Sequence, residues 1–256
     1  MNRIERTFQS LRKAGRKALV GYLTAGDPDL KQSEKDIRCA LEAGVDILEL
    51  GVPFSDPTAD GPTIQAAGRR ALDAGTTVPK VLALVKRLRK DFDQPIVLFG
   101  YVNPLFIYGY ERLCKDARAA GADGLLVVDL PYEESDALRE PCRRHGLCLI
   151  PLIAPTTPKA RAAKVLKEAC GFVYYVMVRG VTGAREALPE DLKQRLADLR
   201  ACTELPIGVG FGISSGPQAR EAAELADAAV VGSALVQAAR EGRLAVLVGE
   251  LRAALR

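Results

Sequence analysis

The sequence predicts a single (β/α)8 barrel over residues 1–256, preceded by one extra helix at the N-terminus. Three observations carry this prediction. Eight short runs are rich in Val, Ile, Leu or Tyr, a stretch of helical periodicity follows each, and the length is close to what one such barrel needs. Alternation of this kind marks βα units, and eight of them close most economically into a barrel. An open doubly wound sheet is the alternative, but no G-x-G-x-x-G opens the helix after the first strand.

Taken in order, the strands are expected at 18–23, 45–50, 95–99, 124–128, 148–153, 172–176, 207–210 and 228–231. Helical stretches are expected at 34–43, 78–90, 112–120, 132–144, 158–169, 189–199 and 216–225, with 233–239 and 244–255 after the last strand. Ala43-Gly44, Ala120-Gly121 and His145-Gly146 supply the glycine that a helix C-terminus favours. Residues 4–14 have a helical pattern ahead of the first strand and are expected to plug the bottom of the barrel. No Ser/Gly linker, charge block or low-complexity run divides the chain.

Composition excludes several classes of function. Apolar residues make up 48% and charged residues 27%, an ordinary globular mixture. The net charge of +4 comes with no basic stripe interleaved with aromatics, so no nucleic-acid partner is expected. A small anionic ligand fits the charge better. Six cysteines are scattered, with no C-x-x-C pair and no Cys/His cluster, and read as reduced packing residues with no metal site. The polar start of the chain lacks a signal peptide's apolar core, and no segment approaches the roughly 20 apolar residues of a membrane span. The expected location is cytoplasmic.

In this fold the loops after the strand C-termini build the site. Val45, Ile47 and Glu49 share one parity; facing inward, they would set Glu49 as a carboxylate at the top of an apolar tube. Desolvation there resists ionisation, as a general acid near neutral pH requires. A buried glutamate paired to a cation is the alternative. The turn-rich loop over residues 51–62 brings Asp60 back over the mouth, and two carboxylates in different environments can take different roles. Glycines at Gly180, Gly183, Gly210, Gly212 and Gly232 end three adjacent strands, where backbone N–H groups and helix N-termini favour phosphate. His145, the sole histidine, falls at a helix end on the bottom face. With no second histidine, a Ser-His-Asp triad is excluded, and acid–base work falls to carboxylates, lysines or tyrosines.

The run from Leu48 to Pro62, LELGVPFSDPTADGP, closely resembles the α subunit of tryptophan synthase, and the match runs essentially end to end. Further pieces of the resemblance are residues 21–28 (GYLTAGDP), 101–104 (YVNP), 128–131 (VDLP), 180–183 (GVTG), 210–214 (GFGIS) and 231–233 (VGS). The fifteen-residue loop is highly specific, whereas the glycine pieces are shared with other phosphate-binding barrels. The resemblance implies retro-aldol cleavage of indole-3-glycerol phosphate to indole and glyceraldehyde 3-phosphate, with no cofactor in this chain. It implies Glu49 as acid/base, Asp60 as partner of the indole N–H and Tyr174 as an active-site hydroxyl. Gly183, Gly212, Gly232 and Ser233 would hold the phosphate, and Tyr22, Leu126 and Ile153 would wall the ring. Arg179, Gly180, Val181, Thr182 and Gly183 would belong to a lid. Pro53, Asp56, Asn103 and Pro104 would face a PLP-dependent β subunit in an α2β2 assembly, to which indole passes.

Met177 and Arg179 stand where this family more often has small hydroxyl residues. Met177 is expected to alter packing at the end of strand six, and Arg179 to be a solvated surface residue, with an added phosphate contact or a tether for the lid as the alternatives. Two further readings remain open at this point: a stand-alone lyase releasing free indole, and a non-catalytic phosphate-binding activator of a β subunit. The catalytic lysine of indole-3-glycerol phosphate synthase and the metal-binding histidines of sugar-phosphate epimerases are not visible.

Overall fold

The computed structural model describes residues 2–177, 192–210 and 212–256. Its strands are β1 (Ala18–Thr24), β2 (Ile47–Gly51), β3 (Ile96–Gly100), β4 (Gly124–Val127), β5 (Cys148–Leu149), β6 (Leu152–Ile153), β7 (Val173–Val176), β8 (Ile207–Gly210) and β9 (Ala228–Val231). All neighbours pair in parallel, in the order β5-β4-β3-β2-β1-β9-β8-β7-β6. The two end strands are consecutive in the chain, separated only by Ile150 and Pro151. Ile150 N–H donates to Leu125 on one side (2.8 Å) and Pro151 C=O accepts from Tyr174 N–H on the other (2.9 Å). One stave interrupted at a proline therefore closes the sheet into an eight-staved barrel, since proline has no N–H for the ladder.

The helices are α1 (Arg3–Lys13), α2 (Leu30–Ala43), α3 (Pro62–Asp73), α4 (Val78–Leu88), α5 (Val102–Tyr108), α6 (Tyr110–Ala120), α7 (Asp136–Arg144), α8 (Lys159–Leu166), α9 (Leu192–Arg200), α10 (Gly216–Leu225), α11 (Ser233–Arg240) and α12 (Leu244–Ala254). A 3₁₀ turn at Tyr132–Glu134 leads into α7. Between β2 and β3 the chain makes two helices where one was expected. α3 opens with Pro62 in its first turn, a position that suits proline because its missing N–H would be unpaired there anyway. α5 is a second unexpected helix.

Alternation along the staves sorts side chains into two layers. Ala18, Val20, Ile47, Val97, Leu126, Cys148, Ile150, Phe172, Ala228 and Val230 fill the tube, while Leu19, Leu48, Leu50, Ile96 and Leu98 pack outward in the layer shared with the helices. Both faces are buried, which is why the strands read as continuous apolar runs. The expected parity corrects at one residue: β2 starts at Ile47, so Val45 lies before the pleat and packs outward with Leu235 against Gly21. α1 closes the bottom as expected. Asn2 and Glu5 form a capping box, and Ile4, Phe8 and Leu11 enter the inner cluster, with Phe8 5.8 Å from Phe172 between ring centroids.

Three aspartates brace the bottom rim. Asp46, Asp123 and Asp227 stand just before β2, β4 and β9, and accept from the backbone N–H groups of Leu19 (2.8 Å), Ile96 (3.0 Å) and Ile207 (2.9 Å) at the starts of the neighbouring strands. Each also meets arginine: Asp46 with Arg252, Asp123 with Arg3 and Arg89, Asp227 with Arg200. A charged acceptor makes a stronger bond than a neutral one, so each bond pins a strand start in register.

Candidate active site

Register brings the key groups together at the barrel mouth. Glu49 on β2 pairs with Tyr22 on β1 and Val97 on β3, so all three point into the tube side by side. Glu49 is 1% exposed, and among the described residues neither carboxylate oxygen has a hydrogen-bond partner. Burial alone pushes its pKa up to about 8. That excludes the cation-paired reading among the described residues. At neutral pH the group is a carboxylic acid with a proton to give.

Two tyrosines flank it. Tyr22 stacks edge-on against Phe99 with centroids 5.1 Å apart, and a Cβ at position 51 would collide with its hydroxyl, so Gly51 is required there. Tyr174, on β7 across the tube, lies over Gly210, where a Cβ would come within 2.7 Å of the phenol oxygen. Burial raises the pKa of both phenols, and the nearby negative charges of Glu49 and Asp60 add to the effect. These tyrosines thus sit within the fields of both carboxylates.

Asp60 is held differently from Glu49. Burial raises its pKa, and the nearby Tyr101 hydroxyl opposes that rise. Its backbone N–H donates to Pro57 C=O (3.0 Å), and its own C=O accepts from Gln65 (2.8 Å). The two carboxylates therefore differ as separate roles require: one dry and unpartnered, the other half-buried on the loop whose Ala59 N–H donates to the Tyr101 hydroxyl at 3.0 Å.

Tyr22, Phe99 and Leu126 line the inside of the tube on this side, the last two paired in register across β3 and β4. Phe99 was missed by the sequence reading, although it shares inward parity with Val97. Ile153 is placed elsewhere: it pairs with Tyr175 on the outward face, while its neighbour Leu152 pairs with Tyr174 and faces inward. Ile150 and Pro151 interrupt the stave between β5 and β6, and beyond them Leu152 takes the inward face where the resemblance had put Ile153.

At the opposite rim, Gly232 caps α11 without a side-chain cap bond, and a Cβ there would lie 3.7 Å from Tyr22 and from Ile64. Exposed Ser233 opens that helix, and Gly212 adopts a positive φ of 63°. Free N–H groups in the first turn of α11 suit an anion. Arg179, Gly180, Val181, Thr182 and Gly183 lie outside the described residues. Met177 is buried and its N–H donates to Gly210 C=O (3.1 Å), so it packs the end of its strand. His145 caps α7 and meets Glu111 at 2.8 Å, away from the mouth. Among the described residues no cluster of His, Cys, Asp and Glu could hold a metal ion, and no helix is long and apolar enough to cross a membrane.

On the loop side, Asp56 and Asn103 are exposed, Pro104 is half-buried, and Pro53 is buried beneath the loop, where it fixes the loop's path. α5 also presents Phe106 (64% exposed) and Ile107 (75% exposed) to solvent. These two are apolar groups that the sequence reading passed over because α5 itself was not expected.

The tryptophan synthase alpha chain family profile matches residues 8–248. A tryptophan synthase alpha chain from Geobacter sp. (strain M21) is 54% identical over 93% of this chain and 89% of its own. One from Geobacter sulfurreducens is 51% identical over 100% and 99%. A crystal structure of tryptophan synthase from M. tuberculosis superposes with a TM-score of 0.91 at 36% identity, over 99% of this chain and 98% of that one.

Proposed function

The chain belongs to the tryptophan synthase alpha chain family, and on that premise we propose that its barrel mouth cleaves indole-3-glycerol phosphate to indole and glyceraldehyde 3-phosphate. This is the alpha reaction of tryptophan biosynthesis, catalysed by a carbon–carbon lyase that works with a β subunit. A single barrel domain over residues 1–256 and chemistry from side chains alone are part of the same reading.

The carrying observation is the dry, unpartnered Glu49 with its pKa near 8. Glu49 protonates indole C3, which turns the ring into an electron sink. Asp60 accepts from the ring N–H and stabilises the positive charge that develops there. A proton leaves the adjacent side-chain hydroxyl, the carbon–carbon bond breaks, and its electrons return to the ring as the aldehyde forms. Glu49 is the base available for that proton, and Tyr174 offers a hydroxyl in the same space. Net, one proton moves from oxygen to carbon.

Tyr22, Phe99, Leu126 and Leu152 pack against the indole ring. Gly212, Gly232 and Ser233 hold the phosphate, and Gly183 joins them in this reading. Arg179, Gly180, Val181, Thr182 and Gly183, the lid residues that the resemblance implies, lie outside the described residues. Asp56, Asn103, Pro104, Phe106 and Ile107 form the partner face. Intact carboxylates in contrasting environments favour a lyase over a non-catalytic activator.

Indole release by the purified chain and by Glu49→Gln, each with and without a β subunit, tests this reading. Slow release that the partner stimulates and Glu49→Gln abolishes is expected. Absence of release by the wild type with the partner present, despite ligand binding, would leave only the activator.

A further inference from the structure

Cys114 on α6 and Cys142 on α7 are both buried, and their sulfurs lie 3.6 Å apart, in direct contact. They are 28 positions apart along the chain, so the contact exists only because the two helices pack side by side. Helical period sets the faces that meet. Leu113, Cys114 and Ala117 bury one side of α6, and Leu138 and Cys142, four residues apart, bury one side of α7. Alanine would also fit such a seam, but two sulfurs in contact give it a chemistry that alanine lacks.

Two features set this pair apart from inert buried thiols. Cys142 belongs to the wall of a cavity of about 1080 Å³ between α7 and α8, which Leu149, Val165 and Cys170 also line. A small polar oxidant can therefore come to the seam from the helical layer, without entering the barrel mouth. Pro141 stands inside α7 next to Cys142, where it has no N–H to give the carbonyl of Ala137, and the helix has no side-chain cap bond. The turn that carries Cys142 is thus held less firmly than an uninterrupted helix, which leaves its sulfur room to close the remaining distance. The contact with Cys142 lowers the pKa of the Cys114 thiol against the opposing effect of burial, so the pair can supply a thiolate.

We propose that Cys114 and Cys142 form a redox-modification site that takes a peroxide as its oxidant and closes to a disulfide, tying α6 to α7. With hydrogen peroxide, one sulfur attacks as thiolate: an S–O bond forms, the O–O bond breaks and hydroxide leaves. The second sulfur attacks the resulting sulfenic acid: the S–S bond forms, the S–O bond breaks and a second hydroxide leaves. The two hydroxides take up the two thiol protons as water, and the two electrons that the sulfurs lose reduce the peroxide. A dithiol reductant reverses the change by thiol–disulfide exchange. The site lies in the outer layer of helices and does not depend on the lyase reading of the mouth.

Hydrogen peroxide is the probe. The native chain is treated with it, the remaining thiols are alkylated, and tryptic peptides are mapped without reduction. A peptide joining residues 113–115 to residues 140–143 is expected, with two of the six thiols lost and both restored by dithiothreitol. The oxidised chain is expected to melt several degrees above the reduced one, because the bond constrains the unfolded chain. Cys142→Ala keeps a small apolar group on the seam and should give neither the joined peptide nor the shift. Absence of the joined peptide from native protein, a bond between Cys148 and Cys170 in its place, or sulfinic acid at either cysteine without the bond would overturn the proposal. So would a joined peptide without any rise in melting temperature, since the bond would then not tie the helices. The peptide is read in the wild-type chain, so a variant that folds poorly leaves the decision intact.

Discussion

Glu49 stays protonated in the folded chain until about pH 8, yet an ordinary glutamate ionises near 4.5 once the chain unfolds. Between those values unfolding releases a proton, so rising pH favours the unfolded state. The contribution is intact below pH 4.5 and is lost progressively as pH climbs toward 8. At pH 7 the linkage amounts to on the order of 3 kcal/mol of stability sacrificed for a usable acid. Glu49→Gln removes the ionisation and keeps the volume. Thermal melts of the two proteins should therefore diverge with pH: at pH 7.5 the Gln variant melts several degrees above the wild type relative to their difference at pH 4.5. A pH-independent gap would mean that Glu49 is ionised in the fold and is not the acid. Parity on β2 made this residue legible in the sequence, because one carboxylate among alternating apolar residues has few structural uses. Tyr101 was quoted in a motif but assigned no role, since its bond to Ala59 depends on how an irregular loop folds back.

At the scale of elements, the eight staves were legible from apolar runs and most return helices from their period. The failures share a physical cause. α3 begins at a proline that closes a turn-rich stretch, and proline marks a helix start as readily as a loop. α5 has seven residues, no side-chain cap bond and a proline within it, so it offers no period to detect. The stave broken at Pro151 hides its register, so the sequence does not show that Leu152, paired with Tyr174, and not Ile153 faces the tube. Equally invisible were the aspartate braces, because an acidic residue before a strand resembles any turn residue. Asp123 is the most enclosed of them, fully buried between Ile96 N–H, Arg3 and Arg89. Asp123→Ala leaves the largely buried Arg89 without its carboxylate partner and frees the start of β3. Urea unfolding should show a loss of about 3–5 kcal/mol. Asp123→Asn, which can still accept from Ile96, should lose less. Equal losses would assign the stabilisation to the arginines alone.

Considered as a whole, the barrel divides labour between its two ends: α1 and the aspartate braces seal the bottom, and the loops at the mouth carry the carboxylates. That mouth is continuous with a surface the isolated chain leaves uncovered. Phe106 and Ile107 protrude from α5 beside Asn103 and Pro104, a few residues from Tyr101, whose hydroxyl accepts from Ala59 N–H. Exposed apolar side chains grouped with polar neighbours have the composition of an interface that a partner desolvates. The proposed function gives this chain a β subunit as partner, and on that reading covering α5 is part of assembly. Ile107→Glu puts a charge where docking would strip water from it, while in the free chain the side chain already stands in solvent. The Kd for the β subunit, measured by calorimetry, should rise at least about tenfold, equivalent to roughly 1.4 kcal/mol. The melting temperature of the free chain should stay where it is, because the substitution removes no buried contact. An unchanged Kd would place the partner elsewhere on the mouth.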